Sequence, residues 1–435
     1  MNIYKTQITN NCLFYEIFSN WFLNTLNNQV DIYIHLLSLG RLNLSNIPNL
    51  YQADPIPEPA REEIEELLLT GDLFRYTNDQ SAVLDLEQNF ARKIGSSYAL
   101  AVSSCSAALF LALKTLNLRN EAKVLIPAFT FGAVPSAVVH ANCIPVLCEC
   151  GTDYRIDLDD FLSKLDSVDA VLISHMRGHT SNMDKILSHC ERLELPVIED
   201  AAHSLGTTWK GKNIGTFGQL GCFSFQSYKL LNSGEGGMLV TNYPDYFAKA
   251  VVMSGAYEHN WQKHQGEREF FEKWQNQLPL YNMRLNNLSA SIVNAQLPYL
   301  DQRVENGRRN HDLTAAMLSV SEWIHVPESF EQETRAPDSI QFNLVGLTPA
   351  EVCQFCDLTN KMGIKVQVFG HSKDNARAFW NWDFLPVKYN LPKTREMLAN
   401  ACDVRLPARL SLYDCQKIAE LILEALRQIK NEVAA

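Results

Sequence analysis

From residue 98 onward, short apolar runs alternate with stretches whose apolar residues recur at helical spacing. Runs at 98–102, 123–126, 145–150, 170–175, 196–200 and 221–225 read as buried strands, and helical patterns fall near 107–116, 133–140, 158–165 and 183–193. This alternation predicts an α/β fold with a mostly parallel sheet covered by helices on both faces. Ligands in such sheets bind at the carboxyl ends of strands. The order begins at Asp54, where DPIPEPAREEIEELLLTG supplies a proline lead-in, an acidic first turn, helical apolar spacing and a Gly71 stop. Two later strand-like runs, 340–345 and 364–369, and a closing helix from Asp414 predict a smaller C-terminal α/β domain. The chain thus divides into an N-terminal extension (1–53), a large domain (54–300) and a small one (301–435).

The extension is the least regular part. Its apolar patches at 12–18 and 32–39 are broken by Asn, Gln and Asp, and no run reaches the roughly 18 apolar residues a membrane span needs. The parts of a signal peptide are absent as well, and no function is placed there. The 435 residues are 46% hydrophobic and 20% charged, as in an ordinary globular protein. With 38 basic against 49 acidic residues the net charge is −11, which argues against nucleic acid or an anionic membrane as the main partner and leaves anionic small molecules open. Eleven scattered cysteines read as the reduced thiols of a cytoplasmic chain. Cys353 and Cys356 lie one helical turn apart after a Thr348-Pro349 helix start, which suits packing. Cys148 and Cys150 have no histidine at metal spacing, and His175 and His179 sit at a strand end, so no metal is assigned.

Three groups of chemistry fall at the carboxyl ends of predicted strands. Ser103-Ser104-Cys105-Ser106 leads from a strand into a helix, offering free N–H groups, hydroxyls and the positive end of a helix dipole. It suits a phosphate seat or a plain serine cap. Glu199-Asp200-Ala201-Ala202-His203 ends a strand in an acid followed by an imidazole. A buried Asp200 needs a cationic partner, and a protonated heterocycle or a structural Arg or Lys would serve. The third is FSFQSYKLLNSGEGG (223–237), which sets Lys229 between an aromatic strand and a glycine-rich turn, with Ser224 five residues earlier. A lysine there is either a surface residue or, desolvated in a pocket, a carbonyl-capturing nucleophile. Phosphate seat, ring-nitrogen acid and amine in that order match what a pyridoxal 5'-phosphate enzyme needs. GEGG lacks GxGxxG spacing and follows no first strand, which removes the dinucleotide reading.

From about Asp54 onward the chain resembles fold-type-I aminotransferases of the DegT/DnrJ/StrS group, known for aminating sugars. The matching stretches are AVSSCSAALFLAL from Ala101, IPAFTFGAVPSAV from Ile126, HMRGHTSNMD from His175, VIEDAAHSLGTTWKGKNIGTFGQLGCFSFQSYK at 197–229, the SGEGG turn and YNMRLNNLSA from Tyr281. The resemblance implies a large cofactor-binding domain and these roles. Lys229 captures the cofactor aldehyde and later shuttles the substrate proton. Asp200 keeps the pyridine nitrogen protonated, His203 lies near the phenolic oxygen, and Phe131 stacks on the ring. Cys105, Ser106 and Ser224 hold the phosphate, and Asn282 reaches it from a neighbouring subunit, which makes the active unit a homodimer with shared sites. Arg284 is a candidate anion contact for substrate or donor. The implied reaction is ping-pong transfer of an amino group, from glutamate, to a keto-sugar or nucleotide-linked keto-sugar. A cyclitol or other non-sugar ketone is the alternative acceptor, and a dehydratase or a catalytically idle regulator is the alternative protein; dehydratase relatives replace the lysine by histidine.

The chain also departs from the family pattern. Cys105-Ser106 stands where Gly-Thr is usual, giving up glycine's freedom to take positive φ. HMRG replaces HLYG, so Arg177 either brings charge toward an acidic substrate or faces solvent, and solvent is the reading adopted. The aromatic stretch 257–280 either borders the substrate cleft or carries core aromatics.

Overall fold

The computed structural model describes residues 47–371 and 374–434, with side chains to Lys430. The apolar patches at 12–18 and 32–39 lie outside the described residues.

Seven strands form the main sheet. They are β1 (Tyr98–Val102), β2 (Lys123–Pro127), β3 (Ile144–Cys148), β4 (Ala170–Ser174), β5 (Val197–Asp200), β8 (Leu220–Ser224) and β9 (Gly237–Thr241), in the order β1-β9-β8-β5-β4-β2-β3. All neighbours are parallel from β3 across to β8, and β9 runs antiparallel between β8 and β1. β9 was not among the expected strands. It pairs Gly237 with Ser224, so the connection 225–236 that carries Lys229 is the loop of a hairpin at the sheet's ligand-binding end.

Both faces of the sheet are apolar, and the strands alternate between them with the two-residue period of a pleat. Leu100, Val102, Ile126 and Leu172 enter one core, and Ala99, Ala101, Leu125, Val171 and Ile173 the other. Helices Cys105–Thr115 and Ala133–His140 pack into the first core; Ala82–Ile94 and Met183–Arg192 pack into the second. In β5 the same alternation separates two acids. Glu199 is fully buried, accepts N–H bonds from Gly215, Phe217 and Gly218 at 2.7–2.8 Å and lies 3.2 Å from His175 Nε2. Burial would raise its carboxyl pKa, but His175 and the backbone donors outweigh burial and hold it below the usual range. Asp200 points the other way, into the site.

Between β5 and β8 lies a two-residue hairpin, β6 (Thr208–Trp209) and β7 (Lys212–Asn213), onto which β11 (Glu333–Thr334) pairs. A second, antiparallel sheet has the order β10-β12-β14-β13, from β10 (Ile324–His325), β12 (Ser339–Leu344), β13 (Gln367–Val368) and β14 (Ala401–Arg405). Its core holds Phe342, Phe355, Ile418 and Ile422, with helices Pro349–Lys361 and Leu412–Ala434 alongside. Thr348 starts the first of these with a full capping box to Glu351. The expected strand 364–369 shrinks to two residues, and β14 was unforeseen because an acid, Asp403, interrupts its apolar run. Asp403 is nevertheless buried, because it pairs with Arg177 from beyond β4.

One expectation is settled by packing. Trp261 and Phe271 are buried and stacked, 5.4 Å apart and 16° from parallel, so these aromatics of 257–280 belong to the core. The end of the extension is ordered into the fold, with Leu50 buried and Ile47 and Tyr51 against the small sheet's core. Among the described residues no helix is long and apolar enough to cross a membrane.

Candidate active site

A cavity of about 440 Å³ opens at the carboxyl ends of β4, β5 and β8. Its lining includes Ser104, Cys105, Ser106, Phe131, Asp200, His203, Ser224 and Lys229. The three groups found separately in the sequence therefore share one space.

The chain leaves β1 and turns into the helix Cys105–Thr115 with Ser104 as its cap, the hydroxyl accepting from Ala107 N–H at 3.0 Å. The serine cap leaves room for an anion at the same turn, because it satisfies only one donor and the first-turn N–H groups of Cys105 and Ser106 have no acceptor within the helix. Gly237 is why β9 can begin here: a Cβ on it would lie 2.4 Å from the carbonyl carbon of Ser104 and 2.5 Å from Cys105 N. Cys105 has ordinary negative φ, so replacing glycine there costs no backbone strain. Its thiol, pushed well up first by burial and then by Asp200, stays protonated with Sγ 3.8 Å from Asp200 Oδ1.

Asp200 is 7% exposed. One carboxylate oxygen accepts from the Ser174 hydroxyl at 2.8 Å, which itself accepts from Thr130 at 2.7 Å, and the other accepts from Ala202 N–H at 3.1 Å. Among the described residues no Lys, Arg or His lies within ion-pair distance of it. The structural partner that the sequence left open is therefore missing, and the site offers a buried carboxylate to a cation from outside the chain.

Opposite, Lys229 Nζ lies 2.9 Å from His203 Nε2 and 3.3 Å from Nδ1. Burial, opposed by Asp338 and aided by Arg177, lowers the lysine to about 8. Burial and then Lys229 push the imidazole well below its usual value, so His203 is neutral and receives the amine's proton-bearing face. Ser224 is 8% exposed, and Phe131, at 46%, is an exposed ring on the cavity wall.

One expectation is corrected, that for Arg177, and Arg284 lies apart from the others. Arg284 is not in the cavity lining: its guanidinium donates to Gly255 O at 2.8 Å between the rings of Phe74 and Tyr257, each 5.4 Å away. Arg177 does not face solvent. Its left-handed backbone (φ 56°) turns the side chain inward, where it is 5% exposed, pairs with Asp403 and lines the cavity. Asn282 lies outside this cavity, exposed in a more open depression that also holds Ser104, Ser106 and His140. The cavity also gathers Tyr51, Gln226, Tyr228, Arg377 and Arg405, none of which sequence reasoning had found. Tyr51 was passed over with the extension, and the two arginines belong to segments without a motif.

A family model described as the DegT/DnrJ/EryC1/StrS aminotransferase family matches residues 58–423. The chain belongs to this family. EpsN of Bacillus subtilis is 34% identical in an alignment covering 52% of this chain and 58% of EpsN. GDP-perosamine synthase of Escherichia coli O157:H7 is 30% identical over 52% of this chain and 60% of that protein. The alignments thus span little more than half the length of these relatives. The crystal structure of 3-amino-5-hydroxybenzoic acid synthase superposes with a TM-score of 0.77 at 22% identity, covering 88% of this chain and 99% of that one. The fold-type-I architecture is thereby shown for this DegT/DnrJ/EryC1/StrS family member.

Proposed function

We propose that the protein is a pyridoxal 5'-phosphate-dependent aminotransferase that moves an amino group from an amino acid, glutamate by family resemblance, to a keto-sugar or nucleotide-linked keto-sugar. The observation that carries this is the pairing of a lysine lowered to about 8 with a buried carboxylate that has no cation of its own, in one cavity. The name of the perosamine synthase relative supports a sugar acceptor, and that of the hydroxybenzoic acid synthase keeps a non-sugar ring ketone as the alternative. A GDP-4-keto-6-deoxy-D-mannose-3-dehydratase is also a structural neighbour, but Lys229 favours amine transfer.

Bound cofactor supplies an aldehyde for an amine and an electron sink for the substrate's α carbon. Cys105, Ser106 and Ser224 would hold its phosphate, Phe131 would cover its ring, and His203 would serve its phenolic oxygen. Asp200 would keep a proton on the pyridine nitrogen. Lys229 would be the amine that holds the cofactor and, when free, the group that moves the substrate's α-carbon proton as general base and acid. The active unit is a homodimer in which Asn282 of each subunit serves the other's phosphate seat, working in the cytoplasm; the ten described cysteines, all free thiols, support that compartment.

The holoprotein given glutamate alone should release 2-oxoglutarate and lose the absorbance band of lysine-bound cofactor, and an accepted ketone should restore the band. No spectral change with any amino acid would overturn the proposal. Capture of pyridoxal 5'-phosphate by the apoprotein should also depend on pH with a defined sign. Only the neutral amine attacks, so the stopped-flow rate should fall about tenfold per pH unit below about 8 and level off above it. A solvent-exposed lysine would keep gaining rate to roughly pH 10.4.

A further inference from the structure

Residues 47–54 lie ahead of the stretch that matches the family model, 58–423, yet they are built into the site. Asn49 makes a tight turn there. Its side-chain oxygen accepts from Tyr51 N–H at 3.0 Å, and its carbonyl accepts from Gln52 N–H at 3.2 Å and from Arg409 Nη2 at 2.6 Å. Leu50 is buried in the core of the small sheet, and Asp54 lies 3.8 Å from Arg409 Nε. The segment is thus a strap fastened on both sides of Tyr51, and Tyr51 lines the cavity. Its ring meets that of Tyr228 edge to face, with centroids 6.3 Å apart and planes at 85°, and Lys365 Nζ lies 5.4 Å from its centroid. Tyr228 immediately precedes Lys229. It is also held by Arg405, whose guanidinium lies 5.2 Å from the ring and donates to the Tyr228 carbonyl at 3.0 Å. Further along the strap, Gln52, Ala53 and Asp54 share with Ser227, Tyr228 and Lys229 a crevice of about 20 Å³, room for about one water.

We propose that the strap 47–54 is the wall that keeps water off Lys229, and that Tyr51 is the positioning residue through which it acts. The use made of that amine rests on the aminotransferase reading; its shielding rests on the contacts just described. Lys229 lines both the cavity and the crevice, so water has two ways to reach its amine, and the strap borders both, with Tyr51 at the cavity and 52–54 at the crevice. Burial is the largest of the effects that hold the amine at about 8. The charged and titratable groups that act on it are Asp338, Arg177, Cys105 and Asp200, with His203 in contact at 2.9 Å, and none of these belongs to the strap. Those that act on Tyr51 are Asp403, Arg177, Arg405 and Arg377, with Lys365 over its ring, and the strap's own Asp54 is met by Arg409. The strap therefore influences the amine by excluding water and not through charge. The ring pair also fixes the tilt of Tyr228, and with it the stretch of backbone from which Lys229 projects.

The test reads the Lys229 amine itself. In the full-length apoprotein, the rate at which acetic anhydride labels Lys229, followed on its peptide by mass spectrometry, should level off above about pH 8, because only the neutral amine reacts. In Tyr51→Ala the break should move up by at least about one pH unit, toward the roughly 10.4 of an exposed lysine, so that labelling at pH 7 falls about tenfold relative to its own plateau. Tyr51→Phe keeps the ring and should behave as the native protein does. Tyr228→Ala, at a ring that is 40% exposed and whose loss does not open the core, should move the break in the same direction and decides the matter if Tyr51→Ala does not fold. The double variant should shift by less than the two single shifts added, because either change alone already breaks the ring pair. A break that stays in place in the alanine variants, or labelling that drops by the same factor at every pH, would show that the strap only packs against the domain and would overturn the proposal. So would a break that moves as far in Tyr51→Phe as in Tyr51→Ala. If the break moves as expected in a protein that captures no pyridoxal 5'-phosphate, the shielding stands and the aminotransferase reading falls; capture with an unmoved break has the opposite meaning.

Discussion

Lys229→Ala is expected to abolish amine transfer, by at least about 10⁴-fold, while leaving the fold in place. The size follows from the proposed double role of one side chain, bonding the cofactor and moving the substrate proton. The survival of the fold follows from its contacts. The Lys229 N–H to Gln226 O turn bond is backbone and is kept, and the side chain's polar contact is with a neutral imidazole. Stability should even rise. With a folded pKa of about 8 against 10.5 for a free lysine, the protonated amine favours the unfolded chain. That penalty is complete below pH 8, fades as pH climbs toward 10.5 and is absent above. Heat denaturation of the apoproteins should therefore favour the alanine variant at pH 7 by more than at pH 10. With added cofactor the variant should lack the absorbance band of lysine-bound pyridoxal phosphate. A Lys229→Ala protein that keeps that band, or keeps more than about a hundredth of the activity, would be incompatible with the assignment.

The site divides into what local sequence specifies and what tertiary structure brings in. Asp200, His203, Ser224 and Lys229 were legible because each sits at a strand end or hairpin loop, where a parallel sheet delivers side chains to one edge. β1 to β5 and β8 were legible because strands buried on both faces are continuous apolar runs. β9 was hidden by the glycine turn before it, and β14 by Asp403, whose burial makes sense only once Arg177 is known to reach it. Arg377, Arg405 and Tyr51 reach the cavity from segments distant in sequence, with no periodicity or spacing to announce them. Arg284 carries a motif whose local contacts no spacing announced: within the chain its guanidinium meets Gly255 O and two rings. Charges set by local backbone were readable, and charges set by long-range pairing were not.

Asp200→Asn separates charge from shape at the other pole of the site and is expected to lower kcat/KM by about 10²–10³-fold without unfolding the protein. The amide oxygen can keep the Ala202 N–H bond, and the amide NH₂ then faces the Ser174 hydroxyl, which has a free lone pair beside the one that accepts from Thr130. Packing is thus preserved and the negative charge is lost, so a cationic ring nitrogen would have no partner there. Ser174→Ala provides the contrast. It removes the bond that aims the carboxylate and leaves the charge, so about a tenfold loss is expected. Glutamate should still bind Asp200→Asn, since the residues proposed to seat the phosphate are untouched, and the defect should appear in kcat more than in KM. If Asp200→Asn retains activity within about tenfold of the native protein, or if Ser174→Ala costs as much, the carboxylate is structural and the pyridinium assignment fails.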